Sequence, residues 1–185
     1  MNFFKKTYDW TLEKAQHKNA KWYLSLISFA ESSFFPIPPD ILLIPMALAS
    51  KARALFYAFM CTLFSVLGGI LGYAIGYFFY NSVGIYIVEF YHLENSFSVF
   101  ENYYKEFGIL IVLGAGITPF PYKFITIASG VFGLNIFLFI IISIIGRGLR
   151  FYLIAILLYF FGEKIKLFID KYFNILTIVF FILLV

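Results

Sequence analysis

Residues 31–45 read ESSFFPIPPDILLIP, from Glu31 to Pro45. Two carboxylates, Glu31 and Asp40, and three closely spaced prolines stand here inside an apolar run, where a charge costs most. A proline lacks a backbone donor and disfavours helix in the residue before it, so Pro36, Pro38 and Pro39 break the run in two. The first half, Trp22 to Phe35, is roughly 14 residues, about 21 Å of helix, and falls short of the ~30 Å hydrocarbon core of a bilayer. The second, Ile41 to Ala49, is shorter and ends at Lys51 and Arg53. Basic residues lie on both flanks, Lys14, Lys18 and Lys21 before and Lys51 and Arg53 after, and the positive-inside rule puts both flanks in the cytoplasm. Residues 22–50 are therefore expected to enter a membrane and return, as a re-entrant hairpin.

Composition supports a membrane setting. The chain of 185 residues is 62% hydrophobic and 13% charged, with a mean hydropathy of +0.90, whereas soluble domains carry about 25% charged residues. A multi-pass protein of the bacterial cytoplasmic membrane, with a cytoplasmic N-terminus, is expected. The formal charge of +4 fits cytoplasmic loops better than nucleic-acid binding, because no basic cluster is interleaved with a soluble domain. The single cysteine, Cys61, excludes an intramolecular disulfide. The 26 Phe and 14 Tyr read in part as compositional bias, so aromatic stripes carry little functional weight. No A-x-A site follows the first apolar residues, so no removable signal peptide is expected.

Residues 1–21 place Phe4, Tyr8, Leu12 and Ala15 on one helical face and read as an amphipathic cytoplasmic helix. Residues 22–171 read as one membrane domain. After the first hairpin, residues 55–80 form one long span with Gly68, Gly72 and Gly76 at the spacing that lets another backbone approach closely. Whether that face meets another part of the chain or a second copy is open. Residues 81–106, with Glu89, Glu94, Glu101 and Glu106 against Lys105, read as an external loop. Residues 107–133 repeat the opening pattern: a short apolar run, the break Thr118-Pro-Phe-Pro-Tyr-Lys123, and a second short run. A long span over 136–161, a mildly basic cytoplasmic loop over 162–171 and the start of a last helix over 172–185 complete the chain.

Laying Pro36 on Pro119, an offset of 83 residues, aligns Pro36, Pro38 and Asp40 with Pro119, Pro121 and Lys123. An offset of 78 aligns Gly68-Gly-Ile-Leu-Gly-Tyr with Gly146-Arg-Gly-Leu-Arg-Phe. The chain thus reads as a duplicated unit of hairpin plus long helix. By the charge rule one unit starts inside and the other outside, which makes an inverted repeat. The expected fold is an all-α integral membrane protein whose two re-entrant tips meet near the midplane, since broken backbone survives at that depth only in protein or a wet cavity.

The FAESSFFPIPPD segment with its following Pro45, the GGILGYAIG span, the TPFPYKFITIASG hairpin and GRGLRF together resemble the DedA family, with its VTT domain, and most closely its small YqaA-like branch. The resemblance covers roughly residues 22–161. It implies two opposed re-entrant hairpins and a role in moving lipids across the bilayer, with undecaprenyl phosphate or phosphatidylethanolamine as cargo and proton coupling. It also matches Glu31 and Asp40 to the family's acidic pair. Where better-known branches carry two arginines around a proline, this chain has Lys123 alone.

The candidate substrate- or ion-binding residues are therefore Glu31, Asp40, Lys123, Arg147 and Arg150. Charges at mid-bilayer are costly unless paired or hydrated. Asp40 and Lys123 are expected to face one another at the tips. Arg147 and Arg150, three apart on a helix, project on one side, where they either hold a phosphate or pair with Glu31 and Asp40. Glu31 is a candidate proton carrier. Thr118 and Tyr122 are expected to satisfy broken backbone. His17 and His92 have no partner at ligand spacing, so neither metal nor cofactor is expected, and the absence of G-x-x-x-x-G-K-[ST], G-x-S-x-G and H-E-x-x-H points away from an enzyme. The leading expectation is a flippase or scramblase for phospholipid or polyprenyl phosphate, whose partners are membrane lipids and protons. The alternatives are a proton-coupled antiporter of small cations or drugs and a non-transporting membrane organiser.

Overall fold

The computed structural model describes residues 19–184 apart from Pro36 and Leu93, with side chains to Lys164 save Asn81, Ile87, Glu94, Ser96 and Glu163. The amphipathic helix expected over residues 1–21 and the break at Pro36 thus lie largely or wholly outside the described residues, as do the side chains of 172–185.

The described residues are helical and contain no strand. Helix α1 (Ala20–Ser33) and α2 (Asp40–Ala49) are separated at the expected break, and a 3₁₀ turn, Lys51–Arg53, leads into α3 (Ala54–Phe79). Pro39 precedes the first residue of α2, and its carbonyl accepts from the amides of Leu42 and Leu43 at 3.0 and 2.9 Å. Proline suits this place because its missing donor has no helical partner there anyway.

A π-helical turn, Tyr80–Gly84, continues α3 into the short α4 (Ile85–Phe90), and α5 runs Glu94–Ile117. The expected loop over 81–106 is thus mostly helical. Its acidic residues are good helix formers, and Glu101 pairs with Lys105 one turn on, at 2.7 Å. Reading the segment by charge sign alone missed this.

Helix α6 (Tyr122–Val131) follows the Thr118–Pro121 break and ends in a Schellman motif: Gly133, at φ 63°, donates to Gly130, and Leu134 donates to Ser129. Asn135 then caps α7, its Oδ1 accepting from the amides of Phe137 and Leu138 at 3.0 and 3.2 Å. Helix α7 spans Ile136–Leu184 without interruption. The expected loop over 162–171 is absent, and Gly162 sits inside the helix with Leu48 and Lys51 against it.

Two helical stretches are long and apolar enough to cross a membrane, Lys51–Gly84 and Ile136–Gly162. On α3 a row at four-residue spacing, Leu55, Phe59, Leu63, Leu67, Leu71 and Ile75, faces outward. Its length is about 30 Å at 1.5 Å per residue. Inward, α1 and α6 pack on α3, α2 and α5 pack on α7, and the two long helices pack on each other. The buried apolar residues form two clusters. One holds Leu24, Leu43, Met46, Cys61 and Phe151, and the other Val112, Tyr122 and Phe139 with Tyr73 and Leu134. Both long helices pass through both clusters, and polar residues occupy the layer between.

The glycines of α3 make this packing close. A Cβ on Gly68 would lie 2.0 Å from the carbonyl oxygen of Phe29 in α1, and one on Gly76 would lie 2.0 Å from that of Ile127 in α6. Gly72 faces Thr126 and the carbonyl of Ser32. This glycine face is consumed within the chain.

Candidate functional site

Between the apolar clusters, α7 carries two arginines one helical turn apart, and each finds a carboxylate from the first hairpin. Arg147, 2% exposed, donates through Nη2 to Glu31 Oε2 at 2.7 Å, and Glu31 is itself 8% exposed. Arg147 Nε donates to Ser65 Oγ at 2.6 Å. Ser65 and Ser32 are 2.7 Å apart, and Ser32 donates to Glu31 Oε2 at 3.1 Å. Once Ser65 donates to Ser32, the ring runs in one direction, from arginine through two serines to the carboxylate. Charge-assisted bonds of this kind are short and strong. The guanidinium lies 4.9 Å from the Tyr122 ring centre and 4.6 Å from that of Phe151, so its faces are covered by aromatic surface. Tyr122 in turn shares a hydrogen bond of 2.6 Å with Ser143.

Arg150 stands one turn further along α7. Its Nη2 pairs with Asp40 Oδ2 at the start of α2, and its Nη1 donates to the carbonyl of Thr118 in the break of the second hairpin. One side chain thereby holds both breaks. Thr126 adds a direct link between the hairpins, its hydroxyl donating to the Ser32 carbonyl at 2.9 Å. The side chains of Arg150 and Asp40 are 13% and 19% exposed. Among buried side-chain atoms with no hydrogen-bond partner, the described residues show two: Asp40 Oδ1 and Arg150 Nε.

Four of the five candidate residues thus come together: Arg147 and Arg150 pair with Glu31 and Asp40, one of the two readings expected of them, while the expected pairing of Asp40 with Lys123 is not formed. Asp40 faces Arg150 instead of Lys123. Among the described salt bridges none involves Lys123, whose Nζ lies 5.3 Å from the ring centre of its neighbour Phe124. Arginine wins because α7 presents it alongside the start of α2, whereas Lys123 leaves from the first turn of α6, which packs on α3. Tyr122, expected to satisfy broken backbone, instead shares its hydroxyl hydrogen bond with Ser143 and covers Arg147 with its ring. Ser32 and Phe151 lie inside quoted segments without having been singled out, and Ser65 and Ser143 lie outside them. Of the proline positions expected at the tips, Pro39 is buried, while Pro38, Pro119 and Pro121 are exposed. No group of three or more His, Cys, Asp or Glu among the described residues is placed to hold a metal ion.

No family model matches the sequence, and no solved structure matches it. Two curated proteins do. One, from Haemophilus influenzae and described as an uncharacterized protein, is 39% identical over 164 residues, covering 89% of this chain and 85% of its own. Another uncharacterized protein, from Histophilus somni, is 36% identical over 167 residues with the same coverage of each chain. At that identity and coverage the chain belongs to the same family as these Haemophilus and Histophilus proteins.

Proposed function

We propose that this chain is an integral membrane protein, resembling the DedA family, that moves phosphate-bearing lipids across the cytoplasmic membrane. Its first and second halves form an inverted repeat whose proline-broken hairpins are re-entrant. The observation that carries this reading is Arg150, which holds Asp40 of one hairpin and the Thr118 carbonyl of the other in a polar layer between two apolar clusters.

Three further features support it. The outward row on α3 matches the ~30 Å hydrocarbon thickness. Ser65 and Arg147 each lie eleven residues from the first residue of their helices, about 16 Å along the axis and so near the centre of such a layer. The packing also alternates as a two-fold exchange requires: α1 on α3 and α5 on α7, then α6 on α3 and α2 on α7.

A guanidinium offers a fork that suits a carboxylate and a phosphate equally. A headgroup phosphate reaching Arg150 therefore competes with Asp40 and Thr118, and taking the fork releases both breaks. Headgroup capture and separation of the hairpins become one event, while the lipid tails stay in the bilayer. Glu31 and Arg147, deeper and fully ringed by partners, remain the fixed point.

The test is transfer of tail-labelled phospholipid and polyprenyl phosphate between leaflets of liposomes containing the full chain. The expected result is acceleration by wild type and its loss in Arg150→Gln protein that still elutes as a folded species. Transfer no faster than in protein-free liposomes for every lipid tried would refute the reading and leave the ion pairs with a structural role.

A further inference from the structure

The register that lays Asp40 on Lys123 also lays the inward face of α2 on that of α6: Leu43 on Thr126, Met46 on Ser129 and Ala47 on Gly130. All six are buried, yet position for position they present opposite chemistry. Thr126 donates to the Ser32 carbonyl at 2.9 Å, and Ser129 shares a hydrogen bond of 2.7 Å with the Tyr104 hydroxyl. Gly130 lies so close to α3 that a Cβ on it would stand 2.0 Å from the Tyr73 carbonyl oxygen. Helix α6 is thereby joined to α1, α3 and α5 by directional bonds and backbone contact. Helix α2 offers three apolar side chains instead, and among the described hydrogen bonds only that of Asp40 ties it to another element. Pro45 inside α2 also removes the amide that would bond the Ile41 carbonyl, which weakens the start of the helix.

We propose that the two hairpins have different mechanical roles: α2 is a gate that swings away from α7, α6 is a fixed wall, and the Asp40–Arg150 pair is the latch. The inference deepens the transport reading above and rests on it for the gate's purpose. In a bilayer, the cost of opening depends on what each arm leaves behind. Lipid tails are as apolar as leucine, so Leu43, Met46 and Ala47 exchange one apolar neighbour for another. Moving α6 would instead take a hydrogen-bond partner from the Ser32 carbonyl and from the Tyr104 hydroxyl in a setting without water. Arg150 also holds the Thr118 carbonyl, so its release frees the break ahead of α6. The contacts of Thr126, Ser129 and Gly130, further along, keep that helix in place.

Hydrogen–deuterium exchange of the full chain in detergent micelles reads the two arms at equivalent positions, residues 43–49 of α2 against 126–132 of α6. In wild type the amides of α2 are expected to exchange at least about tenfold faster, since α2 lacks the bonds that hold α6. Arg150→Gln, or Asp40→Asn where the former does not fold, should raise exchange in α2 by about a further tenfold and leave α6 unchanged. Thr126→Val should do the reverse, raising exchange in α6 alone.

Exchange in wild-type α6 as fast as in α2 would overturn the division of roles, and this arm needs no variant to fold. Faster exchange in both arms of the latch variant would make Arg150 a clasp on two equal gates and overturn the fixed wall. Unchanged exchange of α2 in that variant would overturn the latch. Because exchange is read without lipid transfer, a protein that moves no lipid loses the transport reading while these outcomes still decide the gate.

Discussion

Arg147 and Arg150 leave the same helix one turn apart, and their surroundings differ in kind. The first is enclosed by Glu31, two serines and two aromatic rings, and none of the buried orphan atoms belongs to it or to its carboxylate. The second bridges two proline breaks, is partly exposed, and leaves one atom on each side of its ion pair without a partner. A buried charge pair with its remaining bonds satisfied fixes a structure. A pair with bonds left over is a place where a ligand gains more than it displaces. The lesson is that two ion pairs of the same composition are told apart by what else each atom touches.

The largest effect that would break this comparison is at the enclosed pair. Arg147→Met leaves Glu31 buried and uncompensated and is expected to cost about 3–5 kcal/mol, while the double change Glu31→Met with Arg147→Met should return most of that. Detergent-solubilised protein unfolded by SDS titration reads the difference. Wild-type stability in the single variant would show that Glu31 reaches water and is not enclosed.

Next in size is Gly68→Ala. Its Cβ would meet backbone, the Phe29 carbonyl at 2.0 Å, so α1 and α3 must move apart. A loss of about 1–3 kcal/mol is expected from such overpacking. In the aligned position of α7, Gly146 has its nearest neighbours at 3.2 Å or more, and Gly146→Ala should cost less than Gly68→Ala.

Arg150→Gln should be milder than Arg147→Met, about 1–2 kcal/mol, because a partly exposed Asp40 can be hydrated when its partner is removed. Its transport should nevertheless vanish. A variant that is both stable and active would move the proposed site elsewhere. Tyr122→Phe leaves Ser143 without its side-chain partner and is expected to cost about 1 kcal/mol with transport retained. The smallest effect is Gly148→Ala, whose Cβ meets only the Thr62 methyl at 3.8 Å and which should shift stability by no more than about 0.5 kcal/mol.

Much of the site was readable in the residues. Charges in apolar runs are rare enough that Glu31, Asp40, Arg147 and Arg150 stood out at once, and the structure joins all four. Which carboxylate meets which arginine was not readable, because the partners are separated by 116 and 110 residues and their pairing depends on how α7 lies against two hairpins. The serine ring was hidden for another reason: a serine in an apolar helix usually bonds its own backbone, as Ser25 and Ser33 do here, and only a neighbouring helix distinguishes Ser32 and Ser65 from them. A register that lays Gly68 on Gly146 also lays Ser65 on Ser143, and both serines turn out to be buried in hydrogen bonds near Arg147 or its covering tyrosine. The repeat held a signal that charge alone did not.

By itself the sequence determined the helical class, the two long apolar helices and the breaks before Asp40 and Tyr122, because proline and hydrophobic length act locally along the chain. Tertiary structure alone decided that Gly68, Gly72 and Gly76 seat other parts of the same chain, that Asp40 pairs with Arg150, and that Lys123 stays out of the ion pairs. Those outcomes rest on distances between segments far apart in sequence, and an ion pair or a close backbone contact exists only where packing brings both partners within a few ångströms.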